Sequence, residues 1–282
     1  MKHLLAAGFR QLFRVPALRA RYYGFYKRLF APWRLFDGVH KTVAFRPGLR
    51  LNLELADWIQ QHIYFLGSYE ERGLLFLESY LRPGDVFLDV GANIGLYSLV
   101  AAQRVGPLGR VYAFEPVPAT AARLRQQIAL NNLANITVAE LAVGSAPGPV
   151  ALYLPPAGNS GMASLYAYTD ELHAPITVEA TTLDAYTSGW PAVRLVKMDI
   201  EGAEWLALQG MTHLLATLRP ALLLELEPTI LAGTGQSAAA IGQWLAAFGY
   251  VPHYVQADGS LHPQPASPEG FHNVVFLPFA PA

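Results

Sequence analysis

The sequence predicts an α/β fold, a mostly parallel sheet covered by helices on both faces and preceded by a helical extension. Three observations carry this. From residue 85 onward, short apolar runs alternate with amphipathic helical patterns. The segments between successive runs are long enough to hold a crossover helix. The first run ends in a glycine-rich turn, the usual entry into a ligand-binding βαβ unit. DVFLDV (85–90) reads as a buried strand ended by Gly91, and IGLYSLVAAQRV (94–105) as a helix stopped at Gly106-Pro107. Residues 110–116 are a second strand. Residues 118–132 are a helix with Leu124, Ile128 and Leu130 on its apolar side and an Asn pair at its end. NITVAELAVG (135–144) is a third strand. Glycines and prolines then break the rhythm over 144–182, where VALYL and PITVEATTLDAY point to an insertion of short antiparallel strands on the binding side of the sheet. Alternation resumes with a strand at 193–200, a helix at 203–218, a strand at 220–227, a helix at 236–248 and a strand at 250–256. A loop follows over 257–272, and a last strand over 272–279. No internal repeat is present.

Composition narrows the classes. Of 282 residues, 52% are hydrophobic and 15% charged, which excludes a disordered chain. Every long apolar stretch is cut by a charge or a proline, so a spanning helix is not expected. A net charge of −1 excludes nucleic-acid binding by bulk charge, and the absence of cysteine excludes disulfides and thiolate metal sites. The expected location is cytoplasmic, with a peripheral position at the membrane left open by the first 36 residues. These hold eight basic side chains, no acid, and aromatics such as Phe9, Phe13, Tyr22 and Phe30 at helical spacing. Aromatics this dense favour helices packed in a core with the arginines facing solvent. The alternative is an amphipathic segment lying on an anionic membrane or covering a substrate cleft. Residues 1–60 are accordingly expected as a basic helical extension, and 61–282 as the main domain.

The glycine turn is the most informative stretch: Asp89-Val-Gly91-Ala-Asn93-Ile-Gly95-Leu-Tyr97-Ser98. Gly91 and Gly95 allow a tight turn and close approach of a ligand to the main chain. Twenty residues beyond Gly95, Glu115 ends the second strand, where a carboxylate can accept both hydroxyls of a ribose. The turn lacks the G-x-G-x-x-G of dinucleotide enzymes. Its acid two residues before Gly91 would repel a pyrophosphate but attract an ammonium or sulfonium. This suits S-adenosylmethionine.

A second constellation, Lys197-Met-Asp199-Ile-Glu201-Gly202-Ala-Glu204, ends a later strand and places Asp199 and Glu201 toward the same crevice as Asp89. VFLDVGANIGLYSL, AFEP, TTLDAY and LVKMDIEGAEW, in that order, resemble the FkbM family of S-adenosylmethionine-dependent methyltransferases over about residues 62–227. KMDIEGAE is the most specific element. Gly67-Ser-Tyr69-Glu70, the Ser/Gly-rich GNSGMASL (158–165) and the ending HNVVFLP are also similar to family stretches. The resemblance implies a class I methyltransferase sheet of about seven strands, the last antiparallel. It implies a cofactor-binding set of Glu70, Asp89, Gly91, Asn93, Gly95, Ser98, Glu115 and Pro116. Asp89, Gly91 and Asn93 would hold the methionine part and Glu115 the ribose, with Glu70 closing over the amino-acid end. It further implies methylation of hydroxyl oxygens on sugars or secondary metabolites.

Such an oxygen needs a base as it attacks. Asp199 is the first candidate, Glu201 the second and His173 the third, with Lys197 orienting Asp199 or stabilising an alkoxide. Asp199 and Glu201, with Glu225 or Glu227, also permit a divalent cation, although nothing in their spacing demands one. Tyr166, Tyr168, Trp190 and Trp205 are candidates for a sugar-stacking wall or, more simply, core residues. The alternatives to a methyltransferase are a nicotinamide-dependent oxidoreductase on a similar βαβ unit and a non-catalytic membrane-associated binding module.

Overall fold

The computed structural model describes residues 1–154, 163–166, 175–263 and 273–279. Two compact units emerge, the first built on residues 1–71 and the second on the described residues from 72 onward.

The first unit opens with helices α1 (Lys2–Leu12), α2 (Pro16–Arg19) and α3 (Tyr22–Phe25), the last running into a π-helical turn at Tyr26–Phe30. Its core is aromatic. Phe13, Tyr22, Phe30, Phe36 and Phe65 are buried, with Phe13 and Phe65 rings 5.5 Å apart and Phe30 and Phe36 rings 5.0 Å apart. Such edge-to-face packing holds the short helices together and is what the dense aromatics foretell. The extension is not helical throughout. β1 (His40–Ala44) and β2 (Arg50–Glu54) form an antiparallel hairpin, because Leu51 and Leu53 alternate with Arg50 and Asn52 and so bury one face. The boundary expected at residue 60 falls inside α4 (Trp58–Leu66), which begins where Asp57 Oδ1 accepts from Gln60 N at 3.0 Å and ends at Gly67.

The second unit takes in most of α5 (Glu71–Tyr80) and then follows the expected order: β3 (Val86–Val90), α6 (Leu96–Val105), β4 (Arg110–Phe114), α7 (Pro118–Leu130) and β5 (Ile136–Ala139). The insertion adds β6 (Ala142–Val143), β7 (Gly148–Leu152), β8 (Ile176–Thr181) and the helical turn α8 (Leu183–Tyr186). Next come β9 (Leu195–Met198), α9 (Glu204–Gln209), α10 (Thr212–Thr217) and β10 (Ala221–Glu225). The chain closes with α11 (Pro228–Gly233), α12 (Ala238–Ala247), β11 (Tyr250–Val255), β12 (Leu261–Pro263) and β13 (Asn273–Pro278).

Among the described residues the main sheet runs β12-β11-β13-β10-β9-β3-β4-β5. The five strands from β10 to β5 are mutually parallel, and β13 is antiparallel to both β10 and β11. The seven strands from β11 to β5, the last in sequence antiparallel, match the sheet expected from the resemblance, with one added strand, β12, paired antiparallel to β11 within the stretch expected as loop. From β3 the order steps outward through β4 to β5, and from β9 it steps the other way to β10. The switch point, where open α/β sheets bind ligands, therefore lies between β3 and β9. With right-handed crossovers, the two directions place α6 and α7 on one face and α9 and α10 on the other.

Three expectations change. The run 135–144 is two strands, β5 in the main sheet and β6 in a separate sheet of order β6-β8-β7, in which β6 and β8 are parallel and only β7 and β8 antiparallel. The LDAY of TTLDAY is not strand but α8, capped by Thr182 Oγ1, which accepts from Ala185 N at 3.1 Å. The helix expected over 203–218 is broken at Gly210. A Cβ there would lie 2.1 Å from the Gly144 carbonyl oxygen, so the glycine lets the two segments touch. The new N-terminus of α10 is capped by Asp184, whose two oxygens accept from His213 N at 2.9 Å and Leu214 N at 2.8 Å.

Candidate functional site

The switch point gathers charge at the ends of apolar strands. Asp89 and Lys197 are registered partners on β3 and β9, so both side chains leave the sheet on one side. Asp89 is fully buried, and its Oδ2 accepts from the buried Ser98 hydroxyl at 2.5 Å. Its Oδ1 is buried without a hydrogen-bond partner. Burial pushes the Asp89 pKa upward, against the pull of the Lys197 ammonium and the Ser98 hydroxyl. An unpaired buried carboxylate oxygen is costly, and a donor or cation at the turn would satisfy it.

The glycines of the turn serve the chain before they serve a ligand. Gly91 has φ +78°, and a Cβ on it would sit 1.9 Å from the Asp199 carbonyl oxygen. The missing Cβ thus leaves room for the chain's own continuation past β9. Beyond it the Phe114 carbonyl at the end of β4 accepts from Gly91 N at 3.1 Å and Ala92 N at 3.0 Å. Asn93 follows in the left-handed region, and its N–H donates to Glu115 Oε2 at 2.9 Å. Glu115 Oε1 accepts from Val117 N at 2.9 Å, across Pro116, which has no N–H to give. Each Glu115 oxygen keeps a second lone pair for a ligand hydroxyl. Burial raises its pKa to about 7 in spite of these two backbone donors.

The KMDIEGAE segment supplies the rest. Lys197 Nζ lies 3.0 Å from Asp199 Oδ2 and 5.0 Å from the centre of the Tyr97 ring. Lys197 is buried, whereas the Asp199 side chain keeps 22% of its surface exposed. Burial raises the Asp199 pKa, but Lys197 and a hydrogen bond from Glu225 outweigh it and hold the carboxyl below its usual value. The chain then turns through left-handed Glu201 and Gly202. Ser164 Oγ of the insertion donates to the Glu201 carbonyl at 2.7 Å, which ties the insertion to this end of the sheet. Glu204 is buried; its Oε1 accepts from Ile200 N at 3.0 Å and so closes the turn from inside. Burial raises its pKa to about 7. Glu201, Glu204, Glu225 and Glu227 line one cavity of about 240 Å³. Among the described residues no group of three His, Asp or Glu side chains is disposed to hold a metal ion.

Glu204 yields a prediction with a fixed sign. The folded state retains its proton up to about pH 7 while the unfolded chain releases it near 4.5, so its contribution is full at low pH and is lost as pH rises through about 7. Glu204→Gln keeps the carbonyl acceptor and removes the titration. The variant should gain stability over the parent between pH 5 and pH 8, by on the order of 3 kcal/mol. Denaturant unfolding at the two pH values measures this, and a pH-independent difference would refute it.

The structure thus brings Asp89, Gly91, Ser98, Lys197 and Asp199 together, with Asn93, Glu115 and Pro116 on the adjoining strand end. Gly95 begins α6, and its missing Cβ makes room for Leu124. Glu70 belongs to the first unit, and its backbone is left-handed at φ +51°. Trp190 packs tilted against Tyr112 with 4.4 Å between ring centres, and Trp205 packs on Trp244, so both pack against the core. His173, Tyr168 and residues 158–162 of the Ser/Gly-rich loop lie outside the described residues. Reading the sequence alone missed three residues in these roles: Glu225 as partner of Asp199, Glu204 as the lock of the turn, and Tyr97 under the lysine. Glu225 had a signal, being a charge at the end of the apolar run LLLELE beside the strand that carries Asp199.

The chain is similar to several known proteins. Residues 89–252, more than half of the chain, match the family described as the Methyltransferase FkbM domain. Methyltransferase 1 of Beauveria bassiana is 29% identical over 152 residues, covering 46% of this chain and 59% of that protein. The 31-O-demethyl-FK506 methyltransferase FkbM of Streptomyces tacrolimicus is 56% identical over 45 residues, 16% of this chain and 17% of that protein. The chain therefore spans less than two thirds of either relative. A crystal structure of methyltransferase FkbM from Methylobacillus flagellatus KT superposes with a TM-score of 0.47 at 18% identity, covering 78% of this chain and 54% of that one.

Proposed function

We propose that this chain, which belongs to the FkbM methyltransferase family, methylates a hydroxyl oxygen on a sugar or secondary metabolite, with S-adenosylmethionine as donor. Family membership sets aside the nicotinamide alternative. The residues fit the donor: Asp89 Oδ1 lacks a partner at the turn, and the two Glu115 oxygens retain acceptor capacity one strand away. When bound, S-adenosylmethionine supplies an electrophilic methyl on a cationic sulfur. Asp89 would favour that cation, and Glu115 would accept from the ribose hydroxyls. Ser98, fully buried, would act through Asp89 by fixing its orientation.

The observation that carries the oxygen acceptor is Asp199. It is an ionised, partly exposed carboxylate anchored to Lys197 at 3.0 Å, at the carboxyl end of the strand beside the glycine turn. Transfer would break the methyl carbon–sulfur bond, its electron pair staying on the departing S-adenosylhomocysteine, while Asp199 would take the acceptor's hydroxyl proton and pass it to water. An oxygen that has gained a methyl is strongly acidic, so even a carboxylate of lowered pKa suffices, and its value lies in placement. The name of the Streptomyces relative, which specifies a 31-O position, supports an oxygen acceptor.

Two measurements test the reading. Calorimetry with S-adenosylhomocysteine should show binding that strengthens with pH up to about 7, where Glu115 becomes charged, and then levels off. Glu115→Gln should weaken binding about ten- to a hundredfold, the value of hydrogen bonds to a charged group. Undiminished binding would remove Glu115 from the site. A radiolabelled-methyl screen of free glycans, sugar-containing lipids and macrolides should give a base-stable methyl ether. A base-labile ester or an N-methyl product would overturn the oxygen assignment.

A further inference from the structure

Among the described residues, ten large hydrophobic side chains stand exposed, and seven of them lie within the first 33: Met1, Leu4, Leu5, Leu12, Val15, Tyr23 and Trp33. An even spread would leave about one there, so the concentration needs a cause. Helix α1 shows how it arises. Ala6 and Phe9 face the aromatic core, followed by Phe13 just past the helix end. Leu4, Leu5 and Leu12 stand exposed and, at 100° per residue, fall within about 100° of one another on the flank that adjoins this core-facing arc. The apolar arc of the helix is thus wider than the core it meets, and the flank with Leu4, Leu5 and Leu12 is uncovered.

Charge says what fits this flank. Residues 1–71 contain eleven Lys and Arg against five Asp and Glu, a net charge of +6, while the rest of the chain carries −7. Arg14, Arg21, Lys27 and Arg28 are exposed around the apolar residues, and Lys27 Nζ sits 4.6 Å from the centre of the exposed Tyr23 ring. A second copy of the chain would bring like charges together on this face. An anionic lipid surface would take both the leucines and the arginines. No described helix is long and apolar enough to cross a membrane.

We propose that the first unit docks on an anionic bilayer, with the leucine flank of α1 and the Tyr23 and Trp33 rings entering the headgroup region and the surrounding arginines meeting lipid phosphates. This inference is independent of the methyl acceptor. It is tested by sedimentation of the full chain with vesicles of phosphatidylglycerol or of phosphatidylcholine. Partition onto phosphatidylglycerol should be at least about tenfold greater in 0.1 M salt and should fall steeply by 0.5 M. Leu4→Glu with Leu12→Glu should abolish it, and Arg14→Glu with Arg28→Glu should weaken it at least about tenfold. Both pairs should keep the circular dichroism of the parent and its affinity for S-adenosylhomocysteine, which separates a failure here from a failure of the methyltransferase reading. Equal partition onto both lipids, or no loss in the leucine variant, would overturn the proposal. So would a lipid-free dimer that the leucine variant returns to monomer, since the face would then belong to a second copy.

Discussion

Asp199→Asn should lower kcat for methyl transfer by roughly 10²- to 10⁴-fold, the range lost with a positioned proton acceptor, and leave S-adenosylhomocysteine affinity within about threefold. The amide keeps the shape of the side chain and one acceptor oxygen but cannot carry the proton away. Lys197 stays buried in the variant but retains its registered neighbour Asp89 as a counter-charge, so the loss should appear in turnover rather than in folding. Measured with the acceptor found in the labelling screen, an unchanged kcat would move the base elsewhere, to Glu201 first. The pH profile discriminates further. Glu225 donates to Asp199 and helps keep it ionised, so Glu225→Ala should raise the Asp199 pKa and shift the acid limb of kcat to higher pH. Glu225→Gln offers an amide donor in the same place and should restore the parent limb. A shift to lower pH in the alanine variant would mean that Glu225 is itself ionised and had been repelling Asp199.

The parts of this site that were legible in the sequence share a physical cause. A charge at or next to the end of a mostly apolar strand is conspicuous because burial is costly, and DVFLDV, AFE and VRLVKMD each carry one there. Crossovers long enough for a helix imply parallel strands, so Asp89, Glu115 and Asp199 are expected at the same, carboxyl edge of the sheet. What stayed hidden depends on contacts distant in the chain. The break at Gly210 is set by Gly144 and by Asp184, and neither leaves a mark in the helical periodicity of 203–218. The hairpin at 40–54 was masked by a composition that pointed to helices over the whole extension, although Leu51 and Leu53 alternate with polar residues. The sequence groups Asp199 and Glu225 only as possible cation ligands; their hydrogen bond follows from the pairing of β9 with β10. The contact between Gly91 and the Asp199 carbonyl is likewise set by the chain's own continuation past β9, which the glycine turn does not reveal.

That contact makes Gly91→Ala the most damaging small substitution in the second unit. The added Cβ would meet the Asp199 carbonyl oxygen at 1.9 Å, its carbonyl carbon at 2.9 Å and Ile200 Cγ2 at 3.0 Å. Backbone on both sides is fixed: Asp199 N donates to Val90 O at 3.1 Å, and Gly91 N to Phe114 O at 3.1 Å. Relief would require β3 and β9 to part at the switch point, which should cost at least about 4 kcal/mol of unfolding free energy. Two other glycines separate the causes. Gly84 has φ +91° with nothing within 4 Å of a built Cβ, so Gly84→Ala reports the left-handed backbone alone, about 1 kcal/mol. Gly95 has φ +92°, but its obstruction is Leu124 Cδ1 at 2.3 Å, the movable end of a side chain, so Gly95→Ala should fall between the two. Denaturant unfolding should therefore rank the losses as Gly84, Gly95, Gly91. If Gly91→Ala were no worse than Gly84→Ala, β3 and β9 would not be clamped at this point. Asp89, Lys197 and Asp199 would then lack the fixed spacing on which one residue can favour a cation while the other accepts a proton.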